Sequence, residues 1–435
     1  MVDGKNEKAT STLEISLPAE VPDTTGETLT AELELGKMLF SAGAPGQRIL
    51  DSITFLNEKL RGGQIHTLLG FEALVIMMVR VGERRIAMCE YPPPPGVNAT
   101  AISTISQYLH TLPDGVAPAR VTRELQSLKV AQTGFPSIAF AALTLFAVIF
   151  GYFNHADTWA LVIIAIATAI ALLARTFVAG KGFGFYIAVL SFTLVAACSA
   201  TLLSRVIPTA TPLVALIIPC VIVIPGFQLV NGGWEILRNH LHIGIPRLMI
   251  FFNVLAIIAV GLLIVLLAYS PSADGAGLEF PLGVHIVLAT CLGALAALCM
   301  CVVMNAPVHV MLVCLLCGAI ARFIRTVIVI ASGDVVFGVF CGTFVISAIA
   351  LLLSRHGKFP VVIPLVTASV QFVPGYYVIV CLEGMTEIIR DGTAISISVV
   401  TSTISSGLLS LFISAAIVIG TLLPLLVLGK NIRWY

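Results

Sequence analysis

Charge is what this chain has least of: Lys, Arg, Asp and Glu make up 11% of its 435 residues. A soluble domain carries about 25%, which excludes a soluble globular protein. With 24 basic against 23 acidic residues the net charge is +1, and the basic excess of a nucleic-acid binder is missing. The first thirty residues, rich in Thr, Glu and Pro, lack the apolar core of about 7–15 residues that marks a signal peptide. They read as a disordered lead-in, 1–30. The ten cysteines suggest neither metal nor redox chemistry. Those from Cys198 to Cys381 lie in apolar runs, where Cys behaves as a small hydrophobe. Cys314 and Cys317 have no second pair or nearby His at ligand spacing. No cofactor or metal is expected.

What charge there is sits at one end. Residues 1–135 hold 12 basic and 15 acidic residues, whereas the remaining 300 positions hold 12 and 8. The chain therefore divides into a polar head, 31–135, and an apolar body. In the head, Glu32–Phe40 and Ile49–Leu60 show helical spacing around the turn Ser41–Gly46. Ala73–Val81 and Arg85–Tyr91 read as a hairpin joined by Gly82-Glu83-Arg84. Asn98 or Thr100 caps a helix running to Leu112, and Pro118 opens another to Leu128. This is a small α+β domain, with no nucleophile elbow, Walker loop or metal spacing.

The body predicts a mostly α-helical polytopic membrane protein. Ten segments have the 17–25 apolar residues that spanning needs: 136–153, 158–176, 183–204, 211–230, 247–269, 281–304, 308–331, 333–353, 359–382 and 403–428. With the head in the cytoplasm, the cytoplasmic connections and tail carry Arg175, Lys181, Arg238, Arg247, Arg355, Lys358, Lys430 and Arg433. The opposite side carries Arg205 and Arg390, plus Arg322 and Arg325 within a segment. That asymmetry puts both termini inside.

The body also repeats itself. Arg175-Thr176 and Leu202–Arg205 recur 150 residues later as Arg325-Thr326 and Leu352–Arg355, and Pro225-Gly226-Phe227 is answered by Pro374-Gly375-Tyr376 at 149. We read two five-helix units, 136–270 and 281–435. Five is odd, so the second unit enters from the opposite face, and inverted repeats are the mark of secondary transporters. In such folds a matched pair of Pro/Gly-interrupted segments points to the substrate site. Pro225, Gly226, Pro374 and Gly375 are thus candidate binding residues, together with Asn231 and Arg322. Arg322 interrupts an apolar run and offers a two-pronged match to a carboxylate. Glu235, Arg247 and Glu383 are candidates for proton coupling or for structural pairing, since a carboxylate near hydrocarbon is costly and usually functional.

These residues resemble a known family, the threonine/serine exporters. Its first signature is similar to Pro225–Asn231 followed by Glu235, Gly244 and Arg247, and its second to the stretch ending Pro374-Gly375. The small-residue turn of its N-terminal domain, with a following Arg/acid pair, is similar to Gly43-Ala44, Arg48 and Asp51. Two positions depart from the pattern: Glu235 stands where Asp is usual and Asn239 where Gly is. The resemblance, over about 32–428, implies a cytoplasmic domain joined to ten spans in the cell (plasma or inner) membrane. It implies export of small hydroxy amino acids by proton antiport, with small dicarboxylates such as succinate as the alternative cargo. The partners are then the substrate, protons and the bilayer, with room for a homo-oligomer. The competing readings are a hydrolase head, for which Ser41, Ser52, His66 and Asp51 show no motif spacing, and a membrane sensor or scaffold, which would not require paired breaks. The chain reads as a transporter and not as an enzyme.

Overall fold

The head begins with a helix, α1 (Thr24–Ser41), because Leu29, Glu32, Leu35, Gly36 and Leu39 share one buried face. This computed structural model describes residues 24–80, 83–90, 96–128, 136–269, 275–357, 359–392 and 395–428. Helix α1 starts eight residues before Glu32, inside the stretch read as a lead-in. Thr25 and Thr28 extend its buried face, and a sequence reading keyed to apolar spacing passes over threonines. Gly43, at φ 78°, ends the helix: the Ala44 N–H reaches back to the Leu39 carbonyl at 3.0 Å, a left-handed cap that suits glycine. A side chain there would also meet the Gly96 carbonyl at 2.5 Å.

Helix α2 (Gly46–Leu60) follows, then a three-stranded antiparallel sheet in the order β1 (Gln64–Leu69), β2 (Ala73–Arg80), β3 (Glu83–Glu90). The β2–β3 pairing, with Ala73 opposite Glu90, is the expected hairpin, although Gly82 of its turn and Pro92–Pro95 lie outside the described residues. Strand β1 was not expected. Its alternation is visible only as a buried-to-half-buried row through Ile65, Thr67 and Leu69, interrupted at its centre by a threonine. Helix α3 (Ala99–Thr111) is capped by Asn98, whose side chain accepts from the Ala101 N–H, and α4 (Pro118–Ser127) opens on Pro118.

The body is helical throughout: α5 (Pro136–Phe153), α6 (Thr158–Gly180), α7 (Phe185–Val206), α8 (Pro212–Val221), α9 (Gly226–Leu237) and α10 (Leu241–Ala268), then α11 (Leu282–Val303), α12 (Val308–Ser332), α13 (Val335–Gly357), α14 (Val362–Ser369), α15 (Gly375–Asp391) and α16 (Ile397–Leu428). Among the described residues eight helical segments, α14 to α15 counted as one, are long and apolar enough to cross a membrane. The pair α8/α9 meets the same test as one span bent by 60°, and α5 is a shorter apolar helix. Side chains such as Leu173, Phe177, Val260 and Leu312 are exposed on the outside, where lipid solvates them. Boundaries move outward from those expected: α10 starts at Leu241, α16 at Ile397, and α15 runs on to Asp391. Glu383, just past the expected end of the ninth segment at 382, is therefore within a helix.

Local structure recurs at the spacing seen in the sequence. Between α5 and α6, His155 stands at φ 61° and the Ala156 N–H bonds the Gly151 carbonyl at 3.0 Å. Between α11 and α12, Asn305 stands at φ 50° and the Ala306 N–H bonds the Cys301 carbonyl at 2.8 Å. Each atom pair is 150 residues from its counterpart. Buried Thr193 of α7 packs against Gly261 of α10, and buried Thr343 of α13 packs against Gly420 of α16. Small residues at these crossings let the helix backbones approach closely.

One residue of the head sets a pH test. Glu32 is fully buried, and neither carboxyl oxygen has a hydrogen-bond partner among the described residues. Burial pushes its pKa from 4.5 up to about 8. A folded state that keeps a proton the unfolded chain gives up loses stability as pH rises, here from 4.5 through about 8. The thermal midpoint of the head should therefore fall across this window, and Glu32→Met should remove the fall. An equal fall in the variant would assign it to another group.

Candidate functional site

Two helices are broken by the same local device. At the first break Pro225 has φ −79° and ψ 74°, and the Gly226 N–H bonds the Ile224 carbonyl at 2.8 Å. At the second, Pro374 has φ −81° and ψ 41°, and the Gly375 N–H bonds the Val373 carbonyl at 2.8 Å. Both have the i to i+2 bond of an inverse γ-turn, and Pro225 sits close to its ideal angles. Proline fits because its φ is already set and it has no N–H to satisfy. The two breaks face each other. A Cβ on Gly226 would lie 2.8 Å from Val373 Cγ2, and one on Gly375 would lie 3.0 Å from Ile224 Cδ1. What crowds each glycine is the opposite break.

Beside the second break lies a cavity of about 40 Å³ with Phe153, Arg322, Gln371, Pro374 and Tyr377 in its wall, room for about three waters. Arg322 is 5% exposed and its guanidinium lies 3.3 Å from the Phe153 ring centroid, a cation–π contact. The Gln371 amide donates to the Gly318 carbonyl at 3.2 Å and to the Ala368 carbonyl at 2.9 Å. Its Oε1 and the Arg322 Nε have no partner among the described residues. An unpaired donor and an unpaired acceptor thus lie on residues that wall one polar pocket, the kind of setting in which a small polar solute is recognised.

Beside the first break, α9 turns Asn231 and Glu235 to one face, each 1% exposed. That face meets the head. Glu235 Oε1 accepts the Gly46 N–H at 2.5 Å and Oε2 lies 3.0 Å from His240 Nδ1. Gly46 is the first residue of α2, and its cap position is Pro45, which offers no side-chain cap. Glu235 supplies the missing acceptor from the body, with its charge at the positive end of the helix dipole. Arg247 of α10 donates to the Ala44 carbonyl at 2.9 Å and lies 5.9 Å from the Phe40 ring centroid. Ile243, between them, packs into the head's own core. Across the head, the Ala99 and Thr100 N–H groups bond the Met304 and Asn305 carbonyls at 2.9 and 3.0 Å. The head is thus fastened to both halves of the body.

The expected site residues fall into three places. Pro225, Gly226, Pro374 and Gly375 come together, with Arg322 beside Pro374. Asn231, Glu235 and Arg247 form the face under the head. Glu383 is half-buried on α15 and does not line the cavity beside the second break. His240 and Gln371 were not among the expected residues. Gln371, three positions before Pro374, could have been found as a polar residue in an apolar run.

Two family models match the chain. A threonine/serine exporter model covers residues 31–269, and a second model, threonine/serine exporter, ThrE, covers residues 289–427. Neither the curated proteins nor the solved structures contain a match.

The contact between Glu235 and Gly46 makes a direct prediction. Glu235→Ala leaves the first turn of α2 without its acceptor, and the cost of a lost cap is about 1 kcal/mol. Hydrogen exchange of the segment 43–50 should speed up several-fold, while the β2–β3 hairpin exchanges as before. Unchanged protection at 43–50 would mean that Glu235 does not hold the head.

Proposed function

The chain belongs to the threonine/serine exporter family, and from that premise we propose that it exports threonine and serine by proton antiport across the cell membrane. It is a multi-pass membrane protein. We read its ten crossings as the eight long helical segments, the bent pair α8/α9 and α5, in two inverted units, 136–270 and 281–435, with both termini cytoplasmic. The single observation that carries a transport reading is the pair of matched proline breaks packed on one another. Inverted halves that exchange conformations need a common pivot with backbone freed from helical bonding, and broken helices near the midplane supply it.

Equivalent turns support the inversion. Asn305 is held against the head, whereas its counterpart His155 is followed by Asp157, whose carboxylate accepts from Thr211 Oγ1 at 2.8 Å and so ties this turn to the α7–α8 connection. On this reading Lys181, after α6, is cytoplasmic, and Ser332, at the end of α12, is external. A cysteine at Ser332 should react with an impermeant thiol reagent on intact cells, above the background of the native cysteines. A cysteine at Lys181 should react only after permeabilisation. The reverse result removes the inverted arrangement.

Coupling centres on Glu235. As a carboxylate it holds the N-terminus of α2, with His240 beside it and Arg238 within reach of both its charge and that of Asp51 across the interface. A proton arriving from outside removes the charge that the helix terminus prefers and loosens the head, so that substrate can load from the cytoplasm. Release of that proton to the cytoplasm restores the contact and closes this side. In proteoliposomes, threonine and serine efflux should rise with an opposing proton gradient. Glu235→Gln keeps the shape without the titration, so it should lose gradient-driven efflux and retain substrate exchange. Full gradient-driven efflux in the variant eliminates Glu235 as the proton carrier. Succinate efflux without amino-acid efflux would transfer the reading to small dicarboxylates.

A further inference from the structure

Between the head and the body is a second cavity, of about 10 Å³, with Arg48 and Pro45 of the head, Asn231 of α9, and Met304 and Ile363 of the second half in its wall. It has space for about one water. Arg48 is 3% exposed, and its one hydrogen bond among the described residues goes from Nη2 to Ser106 Oγ, so its Nε has no partner. Burial lowers its pKa to about 10, so it is a cation at neutral pH. Asp51, one turn along α2, accepts from Gln47 at 2.7 Å. On the opposite wall Asn231 is 1% exposed, and neither its Oδ1 nor its Nδ2 has a partner among the described residues.

Buried polar groups are nearly always paired, and an exception calls for a reason. Here a donor on a cation and both ends of an amide are buried without partners on residues that wall one space between all three parts of the chain. We propose that this cavity is a binding site for a small zwitterionic amino acid, its carboxylate on Arg48 and its amino or hydroxyl group on Asn231. The site rests on the exporter reading for its substrate class, and deepens that reading by making the head a part of the substrate path. Arg48 takes the carboxylate through Nε, where planar charge-assisted bonding is strongest. Asn231 offers an acceptor to an ammonium or hydroxyl group and a donor to the second carboxylate oxygen. One water's space cannot hold such a molecule. Loading therefore requires the head to lift, and the contacts at Gly46 and Ala44 are the ones that must yield.

The test is equilibrium binding of radiolabelled threonine, serine and succinate to the purified full-length protein in lipid nanodiscs. Threonine and serine should bind, and Arg48→Gln and Asn231→Leu should each weaken them at least tenfold. Asn231→Asp, which keeps the size but sets a negative charge beside the amino group, decides the matter if Arg48→Gln fails to fold. It should raise the preference for threonine and serine over succinate at least tenfold. A preference within twofold of wild type in Asn231→Asp together with wild-type binding in Asn231→Leu overturns the proposal, as does absence of threonine and serine binding to the wild type. Efflux on the same preparation separates the two claims. Wild-type efflux with undiminished binding in the variants rejects this cavity alone, and binding lost in the variants without any wild-type efflux rejects the exporter reading alone.

Discussion

A proline within an apolar helix frees backbone carbonyls and amides that lipid cannot satisfy, so a broken helix survives in a bilayer only where protein covers it. In this chain each broken helix covers the other. Gly226 lies against Val373 and Gly375 against Ile224, and a γ-turn centred on proline returns one amide of each break to its own chain. The rest of the body is arranged around that contact. Helices α8 and α14 are almost wholly buried, whereas α6, α12 and α16 carry exposed leucines and phenylalanines on their outer surfaces. Closeness is what demands glycine here. Its value is the missing side chain and not a left-handed φ, since neither residue is among the positive-φ glycines.

The head is bound by a different economy. A soluble helix starts with free amides, and α2 takes its acceptor from Glu235, a residue 189 positions away on a membrane helix. The same carboxylate is buried, so it is stabilised by that amide, by His240 and by the charge of Arg238, and it would be costly without them. Each side thus satisfies a group that the other would leave open. A head tied in this way is responsive by construction, because changing the charge on one carboxylate alters the capping of a helix packed against it.

Most of the framework was legible in the sequence because the rules that fix it are local or periodic. The lengths of the apolar runs, the Pro-Gly pairs and the 150-residue echo mark the helices, their breaks and their repetition without reference to any partner. The misreadings came where partners decide. Thr24–Thr30 looks polar yet helps to bury one face of α1, and Leu241–Pro246 looks like a connection yet packs Ile243 into the head. Arg48 was visible only through a family resemblance. Nothing in its neighbourhood says that its guanidinium reaches a cavity shared with Asn231, since that depends on how two domains dock. Gln371 and His240 were missed for the same reason: their partners are distant or belong to a turn whose geometry the sequence does not state.

Repetition of backbone and divergence of side chains have separate consequences. The turns, the crossings and the breaks recur between the halves, but the polar groups of the two cavities and of the face under the head do not. At the 149-residue spacing Asn231 is answered by Val380, Glu235 by Gly384 and Gln371 by Ile222, and at 150 Arg322 is answered by Leu172. Two halves with identical chemistry would give two end states of equal energy. In this chain the first half places its acid and amide under the head, and the second places its arginine and amide in the other cavity. On the transport reading, the repeated backbone lets the two halves trade conformations, and the unrepeated side chains make the two conformations chemically unequal. The gradients set the direction of transport, and that inequality sets which conformation the resting carrier favours.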